Sequence, residues 1–398
     1  MTTPRIRDLL SAAPVLDGHN DLPWAMRLRT GYDLAPIDLT RDQRASGLHT
    51  DLARLAAGGV GAQFWSVWVD TALPPERQVT ATLEQIDFVR RWVDAHPDRM
   101  ALATTADEVD AARAAGRLAC LLGAEGGHSI GGSLGALRML YALGVRYLTL
   151  THSRNVAWAD SATDTPAVGG LTAFGREVVA EMNRLGMLVD LSHTAPATMH
   201  DALDASVAPA FFSHSNALAR CGHPRNVPDA VLTRVRDTGG IVMATFVPWF
   251  LTEECRQWAQ AQAAEAARLA ACHPADSPPF ARAHSAWLAA HPMPPVGVGD
   301  AVVHLEYLRE VVGVAGVGLG GDFDGMPVTA PELADVTCYP ALLEALAERG
   351  WSDAELSRLT WHNALRVLRD TESAARALRG SREPSVAVWT PADRRPAD

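Results

Sequence analysis

"LACLLGAEGG", residues 118–127, runs through small and apolar side chains without polar alternation and stops on Glu125 between glycine turns. A strand with one wet face alternates; an unbroken apolar run suits a strand buried on both faces of a parallel sheet. Seven further runs read the same way: "APVLDGHND" (13–21), "GVGAQFWSVWVD" (59–70), "VRYLTLTH" (145–152), "GMLVDLSH" (186–193), "APAFFSH" (208–214), "GIVMATFVP" (240–248) and "AGVGLGGDFDG" (315–325). Helical patterns separate them. In 82–97, Leu83, Ile86, Val89 and Val93 recur at three- and four-residue spacing. The stretch 105–116 opens with Thr105 and Glu108 in capping-box register and closes on Gly116. The stretches 170–186, 227–240 and 352–370 are similar. Strand–helix alternation repeated eight times predicts an α/β fold, a (β/α)8 TIM barrel forming one domain over 1–398; a doubly wound open sheet is the alternative.

The segment 251–296 interrupts that rhythm with an Ala-rich helix and two Pro-rich loops. It reads as a helical insertion between strands seven and eight, a lid or else a packing or dimer surface. The tail 371–398 reads as a C-terminal extension.

Composition narrows the function. The chain has 398 residues, is 48% hydrophobic and 20% charged, and carries a net charge of −11 with no basic tract. That argues against nucleic acid and anionic membrane surfaces as partners. No apolar run of about 18 residues predicts a membrane span, and the first residues lack a signal-peptide core. Five scattered cysteines without a CxxC predict neither a disulfide framework nor a thiolate metal site, so the expected setting is cytoplasmic. All 35 basic residues are arginine; there is no lysine. A phosphate-loop lysine, a Schiff base and a carbamylated-lysine metal bridge are all excluded.

Barrel enzymes place their chemistry at the C-terminal ends of the strands. There the chain puts His19 and Asp21, Glu125, His152, His193, His214 and Asp322. His19 and Asp21, two apart, share a face of an extended segment. Asp-Gly and Asn-Asp also form turns, and taken alone the stretch reads first as a turn. A lone His after a strand is more often a packing or capping residue, and Glu125 and Asp322 could be turn acids. Joint placement on one rim outweighs those separate readings. His and carboxylates without Cys suit Zn²⁺ or Mn²⁺. Three His with an Asp and a Glu exceed what one zinc with an open position needs and match two metals sharing a carboxylate. Without lysine, Glu125 is the natural bridge. His96, His273 and His291 are assigned to loops; His49, His128, His200, His223, His284, His304 and His362 to structural roles.

"DGHNDLPW", "GAEGGHSI", "YLTLTHSRNVAWADSA", "LVDLSHT", "FFSHSNA", "HPRNVPD" and "GGDFDG" follow one another from residue 15 to about 325. In these motifs the chain resembles the renal, or membrane, dipeptidase family of binuclear zinc dipeptidases. The resemblance implies a (β/α)8 barrel, two Zn²⁺ per chain bridged by Glu125 and a hydroxide, and hydrolysis of small dipeptides, L-Xaa-L-Xaa with L-Xaa-D-Xaa permitted. It implies that His19 and Asp21 hold the first metal and His193 and His214 the second. It implies that His152 contacts the scissile carbonyl or its oxyanion, Arg225 holds the substrate's terminal carboxylate, and Asp322 is the acid/base. A homodimer is implied by resemblance alone. Membrane-anchored members carry a signal, a lipid anchor and a cysteine framework that this sequence does not show, so their location is not carried over. Two alternatives remain: a binuclear amidohydrolase acting on N-acyl amino acids or lactams, and a barrel that binds metal or ligand without turnover.

Overall fold

The computed structural model describes residues 2–275 and 277–390. Among the described residues nine parallel strands form one sheet: β1 Val15–Asn20, β2 Val60–Ser66, β3 Met100–Leu102, β4 Leu118–Glu125, β5 Val145–Thr149, β6 Leu188–Asp190, β7 Phe211–Phe212, β8 Ile241–Ala244 and β9 Val317–Leu319. Every residue of β4 is buried, as its unbroken apolar run requires. β1 pairs with β2 on one edge and β9 on the other, and β2 pairs on to β4, so eight strands close into a ring. That closure excludes the open sheet. The ninth strand, β3, was not expected from the sequence. It pairs with residues 118–120 of β4, below the point where β5 takes the same edge at Leu122. Only Met100 of its three residues is buried, so it leaves no apolar run to read.

Phe64, Tyr147 and Phe211 meet across the interior from β2, β5 and β7, with ring centroids 5.1 to 5.9 Å apart. Gly123 on β4 makes this packing possible: a Cβ there would fall within the Tyr147 ring. The Tyr147 phenol is thereby held beneath the barrel mouth.

The surrounding helices follow local chemistry. Thr105 caps helix Ala106–Ala114 by accepting the Glu108 amide, while the Glu108 carboxylate reaches back to the Thr104 amide. Helix Ala173–Leu185 stops at Gly186, which is left-handed at φ 86°. The final helix, Asn363–Leu378, runs past residue 371, where an extension was expected. Buried Thr371 and Ala375 continue its apolar stripe, and residues 391–398 lie outside the described residues. Between β8 and β9, helices Glu253–Ala270 and Pro278–Ala290 pair through Trp258 and Trp287, and the second buries no residue. Among the described residues no helix is long and apolar enough to cross a membrane.

His304, fully buried on helix Val298–Val312, ties two mouth segments together. Its Nδ1 accepts from the Ala217 amide at 3.2 Å and its Nε2 donates to the Leu251 carbonyl at 2.9 Å. Burial pushes its pKa down to about 4, with Arg220 adding to the effect. The unfolded chain takes up a proton near pH 6.5 and the folded one does not. Stability is therefore full above pH 6.5 and falls as the pH drops toward 4, by about 3 kcal/mol from this group. Denaturant unfolding of chelator-treated protein at pH 7.5 and 4.5 checks this. His304→Gln, which can keep both hydrogen bonds, should reduce the difference by that amount; an unchanged difference rules His304 out as its source.

Candidate metal centre

The closed ring turns seven scattered residues into neighbours. His19 is on β1 with Asp21 just beyond it, and Glu125 ends β4. His152, His193, His214 and Asp322 follow β5, β6, β7 and β9 within three residues. The structure brings six of them to the lining of one cavity of about 730 Å³, with His19 fully buried against Asp21 and Glu125. Arg225, expected to bind substrate, lines the same cavity.

Glu125 divides the cluster. Its Oε2 lies 3.5 Å from His19 Nε2, which is itself 3.1 Å from Asp21 Oδ2. Its Oε1 lies 2.9 Å from His193 Nε2 and 3.4 Å from His214 Nε2, and those two nitrogens are 3.0 Å apart. With zinc bonds of about 2.0–2.1 Å, tetrahedral ligand atoms sit about 3.3 Å from one another. These spacings therefore fit the edges of two metal polyhedra that share one carboxylate. A third grouping, His19, His214 and Asp322, is looser: Asp322 Oδ1 is 4.0 Å from His19 Nε2. His152 Nε2 stands 3.8 Å from Glu125 Oε1, with its ring stacked on His193 and against Trp68.

Two of the histidines are held in the form that binds a cation. Burial, with His19 and Arg225 nearby, holds His214 well below its ordinary pKa, and burial with Arg225 and His152 does the same to His193. Both imidazoles are neutral, with a lone pair to give. Burial works against the Glu125 carboxylate, but His19 and His152 bring it well below the usual range. Burial, Asp21 and Glu125 together push Asp322 well above it. The cavity is kept open between the carboxylates. A Cβ on Gly325 would fall on Asp21 Oδ2 and Asp322 Oδ1. His193, Asp322 and Asp324 adopt left-handed backbones with φ of 68°, 63° and 64°, a conformation strained for non-glycine residues.

Arg225 is 3% exposed. Its Nη2 donates to the His214 carbonyl at 3.2 Å, while Nε and Nη1 meet no hydrogen-bond partner among the described residues. Burial lowers its pKa to about 10, so it remains a cation at neutral pH.

Several cavity residues were not singled out by the sequence. Trp24 and Trp68 meet edge to face at 4.6 Å on its wall. His49, expected to be structural, lines the mouth and exchanges hydrogen bonds with Asp324. Val247, Trp249 and Phe250 line it from the segment that follows β8. Trp24 and Asp324 lie inside quoted motifs, which was their one available signal.

The family model for the membrane dipeptidase (peptidase family M19) matches residues 3–382. An uncharacterized dipeptidase of Schizosaccharomyces pombe is 39% identical over 384 residues, spanning 93% of this chain and 84% of that one. Dipeptidase 3 of Rattus norvegicus is 38% identical over 378 residues, spanning 93% and 68%. A metallopeptidase structure from Rhodobacter sphaeroides, liganded with a phosphinate mimic of the dipeptide L-Ala-D-Ala, superposes with a TM-score of 0.74. It is 26% identical and the match covers 90% of this chain and 99% of that one. The chain belongs to the membrane dipeptidase family and is a metal-dependent dipeptidase.

Proposed function

We propose that the enzyme hydrolyses free dipeptides, L-Xaa-L-Xaa and L-Xaa-D-Xaa, at two zinc ions that share Glu125. His19 and Asp21 would hold one ion and His193 and His214 the other. The observation that carries the substrate reading is Arg225, a buried cation with two unpartnered N–H groups in the wall beside the cluster. A guanidinium forks onto a carboxylate through two parallel hydrogen bonds. In this position it selects a substrate whose carboxylate lies one residue from the scissile bond, which is a dipeptide's C-terminus.

A zinc pair supplies Lewis acidity at the carbonyl and brings the pKa of water near 7. The chain's own residues do the rest. Arg225 anchors the terminal carboxylate and fixes the peptide bond against the cluster. His152, with Nδ1 toward Ser153 Oγ at 3.2 Å, directs Nε2 at the carbonyl oxygen and stabilises the developing oxyanion. Asp322, whose raised pKa lets it hold a proton, accepts one at Oδ1 from the attacking water and delivers it to the leaving amine. Trp24, Trp68, Trp249 and Phe250 shelter these groups from bulk water. Five free cysteines, four of them buried, support the cytoplasmic setting, and a homodimer is kept from the resemblance.

Zinc counted per chain, together with hydrolysis of L,L and L,D dipeptides beside their N-acetylated forms, tests the reading. About two zinc ions and cleavage of free dipeptides alone are expected. Cleavage of the N-acetylated set would replace the reading with a broader amidohydrolase, and inert zinc-loaded protein would leave a binding barrel. Gly325→Ala gives a steric test of the metal reading. A methyl between Asp21 and Asp322 should weaken zinc binding by about 10- to 100-fold without lowering the melting temperature of metal-free protein. Wild-type zinc affinity in that variant would show that the space between the two carboxylates is not part of the metal site.

A further inference from the structure

Behind His214 lies a chain of polar groups to which no role has yet been given. Asp190 closes β6 and is fully buried. Its Oδ1 accepts the backbone amides of Ser192 at 3.1 Å and Ser213 at 2.9 Å. Its Oδ2 accepts the hydroxyls of Thr149 at 2.5 Å and Ser213 at 2.6 Å. Ser213 Oγ also lies 2.8 Å from His214 Nδ1 and, more distantly, 3.4 Å from Ser192 Oγ.

We propose that Asp190 is a positioning residue that fixes the proton of His214 on Nδ1, through the Ser213 hydroxyl, so that a bare Nε2 faces the metal. This rests on the reading of His214 as a metal ligand. A carboxylate offers only acceptor oxygens and a serine hydroxyl has one proton. With that proton committed to Asp190, Ser213 Oγ has only lone pairs for His214, so Nδ1 must donate. The lone pair then lies on Nε2, the atom that faces Glu125 Oε1 and His193 Nε2. Such outer partners set the tautomer and orientation of a ligand histidine.

Only a carboxylate satisfies all four donors. In Asp190→Asn, an NH₂ at the Oδ2 position would turn both hydroxyls around. Ser213 would then donate to His214 Nδ1 and force the proton onto Nε2, blocking the metal. An NH₂ at the Oδ1 position would instead oppose two backbone amides. The other two histidines are held differently. His19 Nδ1 meets the Tyr147 phenol at 2.8 Å, and His193 Nδ1 meets no partner among the described residues.

The test uses full-length protein in four forms: wild type, Asp190→Asn, Ser213→Ala, and Thr149→Val. The last removes a donor from the same carboxylate without touching His214. Nitrogen-15 spectra of the metal-free proteins read the histidine tautomers, and chelator competition reads zinc affinity. Wild type should show His214 as the pure Nδ1–H form. Ser213→Ala should show a mixture and bind one of its two zinc ions about 10- to 100-fold more weakly, and Thr149→Val should match wild type in both. Asp190→Asn, where it folds, should follow Ser213→Ala. A wild-type tautomer and affinity in Ser213→Ala overturns the proposal. So does a Thr149→Val change as large as that of Ser213→Ala, which is what a purely structural carboxylate would produce. If wild type takes up no zinc at all, the ligand reading fails and this proposal fails with it.

Discussion

Glu125→Gln should purify depleted in zinc and lose on the order of 10⁴ in kcat/KM, taking several kcal/mol of metal electrostatics at 1.36 kcal/mol per tenfold. The reasoning lies in the division of the carboxylate. One oxygen faces His19 and Asp21, the other His193 and His214. Glutamine fills the same space but has one acceptor and one donor end. Whichever way the amide turns, one metal position meets an NH₂ group. The loss should appear as metal content before it appears as rate, and the metal-free protein should melt below the wild-type temperature, because the histidines that hold the carboxylate well below its usual pKa lose their charged partner. Plasma emission analysis and a dipeptide assay on the same sample decide it. Two tightly held zinc ions with wild-type turnover would show that Glu125 bridges nothing.

Arg225→Met should cost on the order of 10³ in kcat/KM for a free dipeptide, since removing one partner of a buried charge pair typically costs about 2–5 kcal/mol. For the same dipeptide as its C-terminal amide the change should be small, because that substrate has no carboxylate to lose. Arg225→Lys should recover little: a single ammonium on a longer stem cannot reproduce the fork. Zinc content should stay at the wild-type level in both variants, which separates this residue from the ligands. Equal losses on acid and amide would show that Arg225 supports the wall of the cavity rather than the substrate.

The fold was legible wherever burial on both faces left an unbroken apolar run, as in Leu118–Glu125. β3 was not, because one buried residue and two half-exposed ones carry no pattern. The site was legible to the extent that barrel strands all point their C-terminal ends at one rim: His193 and His214 are unremarkable singly and become informative once the strands are counted. What stayed hidden depends on partners remote in sequence. His49 gains its place at the mouth only through Asp324, 275 positions away. Asp190 sits inside an apolar strand, where nothing in "LVDLSH" indicates that its oxygens collect four donors from three strands or loops. Trp68 reads as ordinary core until the ring closes and sets it against His152. The placing of the metal-binding residues and of Asp322 on one rim drew on strand position; their division between two metals, and the roles of Arg225 and Asp322, drew on resemblance, since an arginine before a helix and an aspartate in a glycine turn have commonplace explanations.

The left-handed backbones of His193, Asp322 and Asp324 set two kinds of selection against each other. Glycine would relax each of these positions, and a library screened for thermal resistance alone should enrich it there. The same clones would have discarded an imidazole and two carboxyl groups from the mouth of the barrel. A search for a hardier enzyme must therefore hold these three positions constant and seek its gains on the helical outer layer, where robustness and turnover are not drawn from the same residues.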